Sequence, residues 1–197
     1  MRVNVARAFA PLLDSQTAGA GPGAALDAER LWAALQTDPH WRDWQEGRIT
    51  PRQWHEHLIR RLKIALSFEE FCGAWNRALE PETILDETLF EDLGRRSSLA
   101  LLSNTDPLHA EHLDRHFTFG RHFSARIYSC RVGMSKPSQA IYQAALDALG
   151  LAPSEALYID DVPEFVQAAR AIGVDTIRFE NPRKLIGDLR QRGILPS

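Results

Sequence analysis

The sequence predicts an α/β fold: a parallel sheet flanked by helices, preceded by a wholly helical segment. Three observations point to it. From residue 26 to about residue 79, apolar residues recur at helical spacing with no credible strand among them. Beyond residue 80, short apolar runs alternate with helical stretches of roughly ten residues, the pattern of parallel βαβ units. Chemistry-bearing polar residues stand at the ends of those runs, where ligands bind in such sheets.

Composition bounds the class. The 197 residues are 25% charged and 44% hydrophobic, as in ordinary soluble globular proteins. A formal net charge of −3 offers no basic footprint for nucleic acid. No apolar run approaches the roughly 20 residues of a membrane span. Arg2 and Arg7 precede no continuous apolar core, so no signal peptide is expected. Cys72 and Cys130 lie far apart without His or Cys at metal-ligand spacing, which suits a reducing compartment; a cytoplasmic location is the expectation.

Val5, Phe9, Leu12 and Leu13 have helical spacing, with Asn4 as a possible N-cap, although Pro11 falls late in the pattern. Ala18–Ala25 reads as a flexible loop. Asp27 can cap a helix containing Leu31, Trp32 and Leu35, which Pro39 ends before Trp41 and Trp44. Thr50-Pro51 opens a second helix carrying Trp54, Leu58, Ile59 and Leu62. Ser67-Phe-Glu-Glu is a capping-box pattern that opens a third, with Phe71, Cys72, Trp75 and Leu79 inward. All five tryptophans fall between positions 32 and 75, and their spacing of three or four predicts a packed core, not a nucleotide-stacking surface.

The remainder predicts a helix over Pro81–Leu93, a strand over Ser98–Leu102, a mixed helix over Leu108–Phe119 and a strand over Arg126–Cys130. Pro137 suits the first turn of a helix stopped by Gly150, and it pushes Lys136 into an extended conformation at that helix's mouth. A strand over Ala156–Ile159, a helix over Pro163–Ile172 ended by Gly173, and a strand over Asp175–Phe179 follow.

Three strand ends therefore deliver Ser103-Asn104-Thr105, Lys136 and Asp160-Asp161 to one rim. Adjacent carboxylates suit Mg²⁺, which takes one or two of them and keeps waters or substrate oxygens. The Ser103 hydroxyl and the N–H groups after it can hold phosphate oxygens, and Lys136 can neutralise the phosphate. Phosphoryl transfer needs mainly such positioning and charge stabilisation. Each part has a plainer account. Lys136 can be a solvated lysine, Asp160-Asp161 a helix N-cap, and Ser103–Pro107 a turn.

Leu101-Leu-Ser-Asn-Thr, Gly133-Met-Ser-Lys-Pro with Ile141-Tyr142, and Leu157-Tyr-Ile-Asp-Asp resemble the second, third and fourth motifs of the haloacid dehalogenase (HAD) superfamily. The subfamily most similar holds bacterial sugar-phosphate phosphatases and the N-terminal phosphatase domain of soluble epoxide hydrolases. Trp44-Gln-Glu-Gly-Arg-Ile-Thr resembles part of its helical cap. The resemblance implies a Rossmann-like core, residues 1–14 and 80–197, with a helical cap over residues 15–79. It implies a Mg²⁺-dependent phosphatase of small phosphorylated metabolites. Lys136 and Ser103 would be catalytic, Asn104 and Thr105 would bind substrate, and Asp161 with Asp160 would serve the metal.

That family's first motif, a buried strand ending in the nucleophilic aspartate, has no counterpart here. Asp14 lacks a preceding strand and has Gln16 where the second acid would stand. An unfilled central slot between the strands ending at Ser103 and Asp160 is therefore expected, unless Met1–Val5 bends into it or translation starts upstream. The chain as it stands should turn over little. A non-catalytic relative that binds a phosphorylated ligand or protein partner is the rival reading. A dehalogenase proper, working on carbon without Mg²⁺, would leave Asp160-Asp161 idle. Glu164 and Phe165 stand where the family often has an acid or amide, so Glu164 is a candidate neighbour of the metal. His109 is expected to face solvent or to touch substrate.

Overall fold

A computed structural model describes Val3, Asn4, Ala8 and residues 28–63 and 65–196. The helical first half forms as its spacing dictates: α1 (Ala28–Gln36), α2 (Trp41–Gln45), α3 (Pro51–Leu62) and α4 (Phe68–Arg77). Both capping boxes close. The Thr50 and Ser67 hydroxyls accept from the N–H groups of Gln53 and Glu70, whose side chains accept in return from the Thr50 and Ser67 N–H groups. The tryptophans turn inward. Trp44 and Trp54 are fully buried and stack 5.8 Å apart, Trp75 is buried beside them, and Trp32 and Trp41 pack against the same cluster. The proposed Asp27 cap and the Ala18–Ala25 loop lie outside the described residues.

The second half alternates as expected: α5 (Glu87–Gly94), β1 (Ala100–Ser103), α6 (Pro107–His116), a 3-10 turn (Thr118–His122), β2 (Ala125–Tyr128), α7 (Ser129–Val132), α8 (Gln139–Leu149), β3 (Leu157–Asp160), α9 (Pro163–Ala171), β4 (Asp175–Arg178) and α10 (Pro182–Gln191). Most boundaries move by a residue or two, and two boundaries and one helix differ in ways that matter to the fold. The helix expected from Pro81 starts at Glu87, because Asp86 caps it by accepting from the Thr88 N–H (2.8 Å) and Thr83 makes a turn onto the Leu85 carbonyl. Cys130 belongs to α7 and not to the strand. The final helix α10 was not anticipated at all, although Asn181 caps it, Pro182 opens it, and Leu185 and Leu189 are its buried face.

β1 pairs in parallel with β2, from Ala100 opposite Ala125 to Ser103 opposite Tyr128. β3 pairs in parallel with β4, from Leu157 opposite Asp175 to Asp160 opposite Arg178. Among the described residues β1 and β3 have no strand between them. A cavity of about 980 Å³ lies there, lined by all four residues of each. Central parallel strands are normally buried on both faces. Here no residue of β1 or β3 is buried, whereas β2 and β4 bury two each. Val3 pairs antiparallel with Leu79, and the Asn4 N–H donates to the Ala78 carbonyl (2.7 Å), so these two residues pair after α4 and not with β1 or β3. Met1, Val5, Asp14 and Gln16 lie outside the described residues.

Candidate functional site

The rim is assembled around Lys136. The Lys136–Pro137 peptide bond is cis, the two residues form a turn, and α8 begins only at Gln139. Pro137 thus precedes the helix and does not open it. Asn104, at the end of β1, holds that turn from across the fold. Its amide donates to the Lys136 carbonyl (2.9 Å) and its Oδ1 accepts from the Lys136 N–H (2.8 Å). The Asn104 side chain is committed to placing Lys136.

Lys136 Nζ then donates to Asp160 Oδ2 (2.7 Å) at the end of β3 and to the Leu102 carbonyl (3.3 Å) in β1. Both ionic side chains are only 8% exposed, so each depends on the other for its charge. The ammonium also lies 4.9 Å from the centre of the Phe165 ring. Asp160 accepts further bonds from the Val162 N–H (2.9 Å) and the Tyr158 hydroxyl. Burial alone would raise its pKa. The Lys136 charge and the hydrogen bonds outweigh burial and hold it below the usual carboxylate range.

The other predicted residues fall nearby in different states. Ser103 is half-buried at the end of β1, lines the cavity, and has only a 3.5 Å contact to the Asn104 carbonyl. Thr105 is buried, and its N–H is taken by Ser129 Oγ (2.8 Å). Asp161 lines the cavity and is exposed, with no hydrogen bond or ion pair to any described residue. Glu164 is exposed in the first turn of α9.

Sequence reasoning missed Ser129, Phe165 and Glu46. Ser129 is fully buried and donates towards the carbonyls of Gln45 (2.7 Å) and Thr105 (3.0 Å). Ser135 donates to the buried Glu46 carboxylate. The Trp44–Thr50 stretch thereby reaches the loop that carries Lys136. Only the departure from the family pattern at Phe165 was visible beforehand.

His109 is a correction: it is buried, not solvent-facing. Its Nε2 lies 2.7 Å from the Trp75 carbonyl and its Nδ1 3.0 Å from Asp106 Oδ2, which also accepts from the Trp75 indole N–H (2.9 Å). Both ring nitrogens face acceptors, an arrangement that favours the imidazolium as the tie between α4 and α6. Burial lowers its pKa, but the Asp106 charge and the two hydrogen bonds outweigh that and raise it above the ordinary value of 6.5. A raised folded-state pKa adds stability that is full below the unfolded value and is lost as pH rises through the folded one. Urea unfolding from pH 6 to 9 should show a decline of about 1.5–3 kcal/mol that disappears in His109→Phe; identical profiles would refute the imidazolium.

Residues for a metal fit in part. Asp161 offers a free, exposed carboxylate, which suits a hard cation completed by water and substrate oxygens. Asp160 is already engaged at both oxygens. Elsewhere, Asp38, His40 and His57 bring possible ligand atoms within 4.8 Å of one another. Arg61 also bonds Asp38 there, and its guanidinium occupies the charge a cation would need.

A haloacid dehalogenase-like hydrolase family model matches residues 25–173, most of the chain. The chain belongs to the haloacid dehalogenase-like hydrolases. This HAD-family chain is 45% identical over 70 residues to bifunctional epoxide hydrolase 2 of Sus scrofa, covering 36% of the chain but only 13% of that protein's length. It is 36% identical over 118 residues to the phosphoserine phosphatase of Thermus thermophilus, covering 52% and 46% of the two chains. A HAD family enzyme of Bacteroides thetaiotaomicron, solved in complex with magnesium and inorganic phosphate, has the same fold. Its TM-score is 0.74 at 20% identity, over 91% of this chain and 88% of that one. The α/β Rossmann-type HAD fold read from the sequence is thus the fold observed. Among the described residues no helix is long and apolar enough to cross a membrane.

Proposed function

We propose that this HAD-family hydrolase carries a phosphohydrolase site for small phosphorylated metabolites, using Mg²⁺, at a rim to which the described residues bring no nucleophilic aspartate. One observation carries the reading: Lys136, Asp160 and the β1 end at Leu102, distant in sequence, meet at a single buried ammonium. The phosphatase relative and the magnesium and phosphate of the Bacteroides enzyme support it. Residues 1–14 and 80–197 would be the core and residues 15–79 a cap. Trp32, Trp41, Gln45 and Trp75 border the same cavity as Ser103 and Asp161, which supports that division.

In this reading Ser103 donates its uncommitted hydroxyl to a phosphate oxygen. Lys136, fixed by Asn104 and Asp160, neutralises phosphate charge at the rim. Asn104 acts by holding Lys136 through its side-chain amide, and Thr105 by shaping the loop, its N–H being taken by Ser129. Asp161 would hold magnesium directly, with Asp160 beside it. A magnesium ion bound there supplies charge stabilisation to phosphoryl oxygens. The described acids at the rim are committed or metal-facing, so the chain assayed alone should hydrolyse p-nitrophenyl phosphate at background rates. Calorimetry should still show inorganic phosphate binding that strengthens with Mg²⁺, and Asp161→Asn should abolish that strengthening. Robust turnover that is lost in Lys136→Ala yet kept in Asp14→Asn would mean another nucleophile exists. Absence of phosphate binding would favour a protein-binding relative.

A further inference from the structure

We propose that Phe165 is a positioning residue of the phosphate site: its ring face holds the Lys136 ammonium without taking an N–H, so that one donor stays free for a phosphate oxygen. Such a role deepens the phosphohydrolase reading and rests on it. Lys136 Nζ lies 4.9 Å from the centre of the Phe165 ring and 5.9 Å from that of Tyr158. An ammonium has three N–H donors. Two of them go to Asp160 Oδ2 (2.7 Å) and to the Leu102 carbonyl (3.3 Å). The Lys136 side chain is nearly buried, so water answers little of its remaining charge. An oxygen acceptor on residue 165 would take the third N–H. An aromatic face instead attracts the charge as a whole, through its quadrupole, and requires no particular N–H.

The surroundings fix the ring as firmly as they fix the acid. Phe165 is half-buried in the first turn of α9, and its N–H donates to the Val162 carbonyl (3.1 Å). The Tyr142 hydroxyl donates to the Phe165 carbonyl (2.9 Å). The Tyr142 ring also meets the Tyr158 ring edge to face at 5.2 Å, and the Tyr158 hydroxyl donates to Asp160 Oδ2. Tyr142 of α8 therefore steadies both partners of the ammonium, one through its hydroxyl and the other through its ring. Asn104 fixes the Lys136 backbone from β1. A lysine stem has several rotatable bonds, and ordering it in advance removes an entropic cost that phosphate binding would otherwise bear.

The test weakens the ring face while nearly preserving its size. In the full chain Phe165 is replaced by 4-fluoro-, 3,5-difluoro- and 3,4,5-trifluorophenylalanine, each fluorine drawing charge from the face. Inorganic phosphate affinity, read by calorimetry with Mg²⁺ present, should fall stepwise, by about three- to tenfold at the trifluoro ring. Phe165→Tyr keeps the face and should stay within about twofold. Phe165→Asn should lose at least as much as the trifluoro ring, because its side-chain oxygen takes the free N–H. Tyr142→Phe deletes only the hydroxyl that holds residue 165 and should lose about two- to fivefold. The melting temperature should fall along the fluorine series by about 2–5 °C in all, and that slope should vanish in the Lys136→Met/Asp160→Asn background. A flat series in both measurements overturns the contact between ring and ammonium. Falling stability with unchanged phosphate affinity makes Phe165 structural and overturns its positioning role. An unsubstituted chain that binds no phosphate overturns the phosphate reading and this role with it, and the melting series then reports the contact alone.

Discussion

Replacing Lys136 by methionine should destabilise the protein by about 3–5 kcal/mol at pH 7, the usual cost of stranding one member of a buried ion pair. Asp160 would stay buried with its charge unanswered, and the Leu102 carbonyl would lose its donor. Adding Asp160→Asn to Lys136→Met should restore much of the loss, because the stranded charge goes with it. The pH dependence has a definite sign. In the wild type Asp160 has a depressed pKa, so its contribution is present above the ordinary value of 3.8 and is lost as pH falls through the lower folded value. Without Lys136, burial dominates and protonation relieves the variant. The gap in urea-unfolding free energy should therefore narrow on acidification. A gap unchanged between pH 7 and pH 4, or no recovery in the double variant, would show that the pair does not hold the rim together.

Gly47→Ala should be nearly as damaging, at about 3 kcal/mol or more. Gly47 has a φ of +69°, and an added Cβ would stand 2.2 Å from the Cys130 carbonyl oxygen. The backbone would have to part there, straining the Ser129 bond to Gln45 and the Ser135 bond to Glu46. Gly133→Ala is the control. Its φ is +71°, but nothing lies within 4 Å of the new Cβ, so it should cost only the left-handed backbone penalty of about 1–2 kcal/mol. Chemical denaturation of the two variants isolates the close approach. Because that contact braces the loop leading to Lys136, Gly47→Ala should also weaken phosphate binding, whereas Gly133→Ala should not do so in proportion to its stability loss. Equal destabilisation by the two would mean that the 45–47 stretch and the 129–135 loop are not tightly joined.

Consecutive residues alone determined the alternation of helices and strands, the Thr50 and Ser67 capping boxes, the inward tryptophans and the presence of the three motifs. These depend on spacing and on hydrogen bonds that span three or four positions, which a linear reading contains. Tertiary structure decided the rest. Asn104 turned out to grip the Lys136 backbone 32 positions away, Thr105 to have its N–H taken by Ser129, and His109 to be locked between Asp106 and Trp75. Pro137 fell into a turn ahead of α8, and α10 formed where no helix had been read. Which polar group answers which is settled only when distant segments compete for the same donors and acceptors in a space from which water is excluded. That competition leaves no periodic trace along the chain.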